Sequence, residues 1–514
     1  MPSRLLGPLA ALPLLFHSLV ASAATLHVPA DYPSIQQAIN AATSSDVVLV
    51  AAGTYHEAIT LDATKDGVKI DSESGPAVTI IDGGYSGSVV TMNGVGSGTE
   101  LVGFTIVHGG HSPPSFSDVG GGIRIAGSPR IDNNVISGNA AGLGGGIAVS
   151  SGSPTITHCV LDGNAAVAGP FGDSGGGGIY VSGTSLPVIT ANTIMNNQVD
   201  GAGGGIYVVY SSADIENNLL QRNTGGGIYG NTGGGIYWRG NGGIGGVVMD
   251  NGLISNSGAG MVLDADFPSN PPLIHGNLFQ SNSSAGLWIA NTQGALVENN
   301  QFLGNAYGGI FVEASPGVTI RGNEFRDNEN ATDVGGAIQI RNQSEATIEH
   351  NVILRNHSGT FGGGVAVVAS SYAAMTSNTI ALNRADQGGG NIYFNIGSTL
   401  MLEQNIVSHS PNQGLLQDNS HYGNTITMSC NDVSDNAGGN YSGMADPTGS
   451  DGNISLDPLY CDLSTLDVHL ASTSPCAATN SPAGCNLIGA LDVGCDGPVR
   501  TERTTWGAMR ARYR

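Results

Sequence analysis

Lysine is almost missing from this chain of 514 residues: Lys65 and Lys69 are the only two. Charged residues of every kind make up 11% of the sequence. A chain so short of clustered cations is excluded as a nucleic-acid binder, because a phosphate backbone is held by grouped Lys and Arg. The acidic excess points the same way, with a formal net charge of -23. Setting aside Arg4 and the residues from Val499 on, which hold five Arg and one Glu, 11 basic and 39 acidic residues remain, a net of -28. A polyanionic glycan would need a bridging cation to approach such a surface, and the acidity itself serves to keep a long Gly-rich body soluble. Beyond the first residues there is no apolar run long enough to span a bilayer as a helix, so no membrane-spanning segment is expected. Glycine is abundant, at 80 residues, yet lacks the third-residue period of collagen.

What is present begins with Met1 to Ala24. Arg4, the apolar run Leu12-Pro13-Leu14-Leu15-Phe16 and the small residues Ala21-Ser22-Ala23 have the form of a secretory signal peptide and its cleavage site. A secreted or cell-surface protein is therefore expected. Of six cysteines, five (Cys430, Cys461, Cys476, Cys485 and Cys495) fall in the last part of the chain. In a secreted protein this clustering predicts a disulfide-tied C-terminal cap with one of the five left over; a zinc site is disfavoured, because no Cys-x-x-Cys pair occurs.

Ser34-Ile-Gln-Gln37 forms a capping box, and Ile35, Ala38, Ile39 and Ala42 recur at helical spacing, which predicts a short amphipathic helix. From Leu101 to about Ser410 one unit then repeats. An aliphatic residue is followed three later by Asn, two after that by an apolar residue, three further on by Asn, and then by a glycine run closed by Ile or Val. Ile131 to Ile147 is its clearest copy. The first Asn place is filled at Asn134, Asn192, Asn218, Asn251 and onward to Asn405, with Cys159 in one slot and Phe104 one turn earlier. The second runs from Asn139 to Asn383. Repeats of this length with short β runs predict an all-β, right-handed parallel β-helix, a solenoid whose like residues stack one strand spacing apart. The asparagines form a structural ladder, and the aliphatic stacks through Ile131 and Ile136 form the core. The glycines supply positive φ or close approach at one corner. A calcium-binding nonapeptide repeat is disfavoured, because Ile or Val follows each glycine run where that repeat continues Gly-x-Asp.

The N-terminal helix, Asp46-Val-Val-Leu-Val50 and the run Ala52 to Leu61 resemble the cap and first strands of the pectate-lyase-like superfamily. Asp457-Pro-Leu-Tyr460, Val468-His-Leu470 and Ser474-Pro-Cys476 resemble the closing segment of many bacterial secreted β-helix proteins. The implied plan is a signal peptide over 1–24, an N-terminal cap and first turns over 25–100 and repeats over 101–410. C-terminal turns and a Cys-containing cap follow over 411–498, with a basic tail over 499–514 as a disordered end or an attachment tag. The superfamily holds lyases, hydrolases and esterases of polysaccharides beside non-catalytic adhesins, so the resemblance leaves the chemistry open. The adjacent Asp pair of the polygalacturonase type is missing, and with so few lysines a lyase base would have to be Arg. Phe279-x-x-Asn282, Phe302-x-x-Asn305 and Phe325-x-x-Asn328 also resemble the repeats of bacterial polymorphic outer-membrane proteins, which implies adhesion; no C-terminal run of strands long enough for a membrane barrel follows.

Two outward constellations could carry function. Asp118, Asp173, Asp333 and Asp386 each stand two residues before a glycine run, and Asp200 three before one. Their loops vary most in length, from Val107 to Val119 and from Ala165 to Ser174, and also hold His108, His111, Phe116 and Phe171. Stacked carboxylates could bind Ca²⁺ or act as the acid and base of glycosidic cleavage, with the Phe rings against sugars; the competing reading is an Asx-type turn into the glycines. In the second constellation Glu298, Arg321 and Glu349 recur on successive turns, either as a surface charge ladder or with Arg321 as a lyase base. The expected role is binding of extracellular or cell-surface polysaccharide along the loop edge; the alternatives are a polysaccharide-degrading enzyme and a non-catalytic adhesin or structural protein.

Overall fold

The computed structural model describes residues 22–111, 117–167, 174–225, 233–240, 245–265, 270–420 and 423–497. The expected signal peptide, apart from its last residues, and the basic tail lie outside them.

Three parallel sheets wind around one core. The first has 16 strands, from Thr25–Val28 to Thr425–Ser429; the second has 15, from Gly53–His56 to Asp432–Ser434; the third has 15, from Ile59–Leu61 to Tyr441–Ser442. Each turn contributes one strand to each sheet in that order, so residues of the same place in successive repeats pair in register, as Ile131 does with Ile156 and Ile156 with Ile189. The expected β-helix is thus observed, with a helical cap at its N-terminal end and a disulfide-bonded C-terminal module. Among the described residues no helix is long and apolar enough to cross a membrane.

The corners explain the repeat. The residue before each ladder asparagine is left-handed: φ is 52° at Asn133, 54° at His350 and 61° at Leu382. That conformation costs an L-residue about 1–2 kcal/mol. It turns the next side chain inward, where a buried amide offsets the cost. Asn300 Nδ2 donates to Asn323 Oδ1 at 3.0 Å and to Ile274 O at 3.0 Å, while Asn323 Oδ1 also accepts from Asn300 N at 2.8 Å. Both predicted ladders are built this way, at the two ends of the second sheet. A shorter hydroxyl series, Thr292 to Ser315 to Ser344, serves the corner after the third sheet. Inside, Phe279, Phe302 and Phe325 stack at 4.7 and 4.8 Å with planes within 5°, which matches the strand spacing.

The N-terminal helix, α1 (Ile35–Ala41), buries Ile35, Ala38 and Ile39 over the open end of the core. Ser34 Oγ accepts from Gln37 N, and the carboxylate of Glu57 takes the N–H groups of Ile35 and Gln36 at 2.8 and 2.9 Å. At the other end a three-stranded module, formed by Tyr460–Asp462, Asp467–Ala471 and Val493–Cys495, folds back over the outside of the second sheet. Leu470, Cys476 and Ile488 pack there on Leu354, Ala381 and Ile406. Cys430–Cys485 ties the coil to this module and Cys461–Cys495 ties two of its strands; Cys476 is the cysteine left over, and it is buried.

Candidate functional site

Strand alternation aims the residue after the Ile of each glycine corner out of the third sheet. In three consecutive turns Gly-Gly-Gly-Ile is followed by tyrosine, and the register sets Tyr180 beside Tyr207 and Tyr207 beside Tyr237. Their rings stand edge to face at 5.7 and 5.3 Å. All three are half-buried. Glycine makes room for them: a β-carbon on Gly175 would lie 1.9 Å from Tyr207 Cδ1, so the ring of one turn rests on the bare backbone of the turn before. Burial raises the phenol pKa of Tyr180, Tyr207 and Tyr237, and all three remain neutral hydroxyls. Tyr237 Oη donates to Asp264 at 3.3 Å, and the Arg239 guanidinium lies 5.9 Å from the ring centre of exposed Tyr210.

The column continues through Val262, Trp288 and Phe311 to Gln339. There it is covered. Trp288 packs 4.1 Å from Phe311 and lies parallel to Tyr307, and Arg341 caps the Phe311 ring at 4.7 Å. Among the described residues the open stretch is therefore the tyrosine one.

Of the predicted carboxylates, Asp118, Asp200, Asp333 and Asp386 occupy the edge of this same sheet, in separate turns. Asp118 is bound by His111, with Nδ1 to Oδ2 at 2.6 Å and a backbone N–H at 3.2 Å. Asp333 meets Tyr307 Oη at 3.2 Å and Arg341 at 3.2 Å. Asp386 pairs with His357 at 2.9 Å, which holds its pKa below the usual carboxylate range. Asp118 and exposed Asp200 are three turns apart, about 14 Å at the strand spacing; Asp333 and Asp386 lie many turns further on. Among the described residues no group of three His, Cys, Asp or Glu is placed to hold a metal ion. Asp173, Phe116 and Phe171 lie outside the described residues.

Arg321 stands on the first sheet, on another face of the coil. Glu298, Arg321 and Glu349 are in register there, and Arg321 Nη2 binds Glu298 at 2.5 Å. The hydrogen bond from Arg321, joined by His275 at 3.3 Å, lowers the Glu298 pKa.

The tyrosine column escaped the sequence reading although its signal was available, in the Gly-Gly-Gly-Ile-Tyr that recurs at 176–180, 203–207, 225–229 and 233–237; the copy at 225–229 lies mostly outside the described residues. A second cluster, of which the sequence singles out only His108, lies on the first turns of the second sheet: Asp82 is shared by His108 at 2.9 Å and His56 at 3.4 Å, with Tyr85 against the His108 ring at 4.9 Å. It is legible only once His56 and Asp82 are known to be in register.

Comparison with known proteins gives one family. The model described as "Right handed beta helix region" matches residues 64–241, 177–337 and 228–380, together more than half of the chain. No curated protein sequence matches. Among solved structures, the A-module of a mannuronan C-5 epimerase from Azotobacter vinelandii is 14% identical, with 82% of this chain and 94% of that one covered and a TM-score of 0.35. A mannuronic acid specific polysaccharide family 6 lyase from human gut microbiota is 14% identical over 74% of this chain and 86% of that one, at 0.42. The catalytic unit of an α-1,3-glucanase from Streptomyces thermodiastaticus is 13% identical over 82% and 67%, at 0.35.

Proposed function

The chain belongs to the right-handed beta helix region family, and from that premise we propose that it binds extracellular or cell-surface polysaccharide along the outer face of the third sheet. The observation that carries this reading is the register of Tyr180, Tyr207 and Tyr237. Three neutral, half-buried aromatic rings in line offer apolar faces to sugar C–H groups and phenol hydroxyls to sugar oxygens. With a net charge of -23 the chain favours a neutral glycan. The two disulfides fit an oxidising, extracytoplasmic compartment.

A glycan array and affinity electrophoresis test this. Tyr207→Ala should weaken glycan binding about tenfold, for about 1.4 kcal/mol of lost contact, and Tyr207→Phe should retain most of it. Binding that ignores Tyr207→Ala would sink the reading. A second reading, cleavage of the bound chain, draws on the His111–Asp118 pair at the same edge, where the carboxylate would orient the imidazole as a proton acceptor. Reducing-sugar and unsaturated-product assays on wild type and His111→Ala decide between binding and turnover.

A further inference from the structure

The C-terminal module covers the second sheet over the turns of Leu354, Ala381 and Ile406, and its hairpin tip, Thr465 to Asp467, projects one turn further. The result is a cleft of about 490 Å³ between the tip and the turn carrying Glu324 and Arg326. It lies on a different sheet from the tyrosine column and is independent of it. Its size is within the ~300–1,000 Å³ of small-molecule sites.

Its chemistry is mixed in a particular way. Val352, Leu466 and Leu491 supply an aliphatic wall. Arg326 lends donors: one guanidinium nitrogen pairs with Glu324, and the partly exposed guanidinium lines the cleft. An acceptor arriving in the cleft can take one of the guanidinium's remaining N–H groups. His469 lends the complement. Asp467 binds its Nδ1 at 2.7 Å, and a proton held there leaves Nε2 as an acceptor. The carboxylates of Glu324 and Asp467 outnumber the one guanidinium, Arg326, which disfavours an anion.

A donor and an acceptor beside an aliphatic wall, with no excess of positive charge, suit a ligand whose groups both donate and accept and whose other face is C–H. We propose that this cleft is a second site, binding a small neutral polyhydroxylated ligand of one or two sugar rings. The full chain is titrated by calorimetry and ligand-observed NMR with glucose, galactose, mannose, maltose and cellobiose, and with glucuronate as the charged contrast. The expected result is saturable binding of at least one neutral sugar, with Kd on the order of 1 mM. Arg326→Met should weaken it at least about tenfold, and so should Thr465→Trp, which fills the cleft from an exposed position and leaves the fold intact. Tyr207→Ala should leave it unchanged, which separates this site from the polysaccharide face. The proposal is overturned if no neutral sugar binds, if glucuronate binds better, if both cleft variants bind like wild type, or if the loss follows Tyr207→Ala instead.

Discussion

Asn391 makes the ladder contacts that Ser410 cannot. Ser410 occupies the slot after Asn383 in the second ladder, and its short side chain donates to Asn383 O, at 2.9 Å, without taking the Asn383 amide. Asn391, which stands where most turns have the last glycine of the corner, inserts its amide instead: Oδ1 accepts from Asn383 Nδ2 at 3.0 Å, and Nδ2 donates to Asn436 Oδ1 at 3.0 Å. The ladder is continuous because a residue from the opposite wall fills the gap.

The two positions should therefore be coupled. Asn391→Gly restores the residue common at this corner yet strands the Asn383 amide, and should cost about 1–3 kcal/mol. Ser410→Asn alone should also destabilise, by crowding the slot that Asn391 fills. The double variant should return close to wild type. Denaturant unfolding of all four proteins measures the cycle, and additive losses would refute the exchange.

Cys159 is the other irregular slot. Its N–H donates to Asn192 Oδ1 at 2.9 Å, but its thiol offers only weak contacts, at 3.2 Å to Thr157 O and 3.7 Å to Ile131 O. Burial pushes the thiol up to about 12, so it stays protonated and inert. Cys159→Asn should complete the first ladder and raise stability by about 1 kcal/mol, read as a higher denaturation midpoint with an unchanged slope.

The coil was legible in the sequence because its side chains repeat with the turn: each ladder Asn and stacked Ile recurs for a reason local to one repeat. Asn391 was not, because its partner slot lies in the following turn and its own place reads as a glycine corner. The tyrosine column was missed for a similar reason. The lengthening loops point to Asp118 and Asp200, whereas alternation within the short strand decides what faces outward. The Asp residues reach the expected edge, but pairing with His111, Arg341 and His357 depends on contacts that no spacing displays.

Beneath the C-terminal module, Asp432 is buried, accepting from Leu456 N at 3.1 Å and from Cys476 Sγ at 3.2 Å. Burial raises its pKa to about 7. Since an unfolded Asp titrates near ~3.9, the folded form binds the extra proton between these values. The module should be most stable below about pH 4, weaken as the pH rises toward 7, and level off above it, with a total loss on the order of a few kcal/mol. Asp432→Asn should remove most of this slope, so that it gains on wild type at pH 8 and not at pH 4. Hydrogen exchange of the 456–497 segment at the two pH values measures the difference.

The disulfides should hold the module rather than the coil. Cys430 belongs to the last turns of the solenoid, next to ladder residue Asn431, and reaches Cys485 across a sequence separation of 55. Gly452 passes beneath the bridge at φ 75°, where a β-carbon would lie 2.4 Å from Cys485 Sγ, so the chain is shaped around the bond. Apolar packing and scattered hydrogen bonds, such as Gly489 N to Gln404 O at 2.7 Å, supply the other links from module to coil. Reduction should cost about 2–4 kcal/mol per bridge. Because solenoid turns are stabilised chiefly by their neighbours, the loss should stay local. Exchange should quicken over 456–497 and leave the turns around Ile131 protected. Equal loss of protection at both ends would show instead that the module's closure stabilises the whole coil.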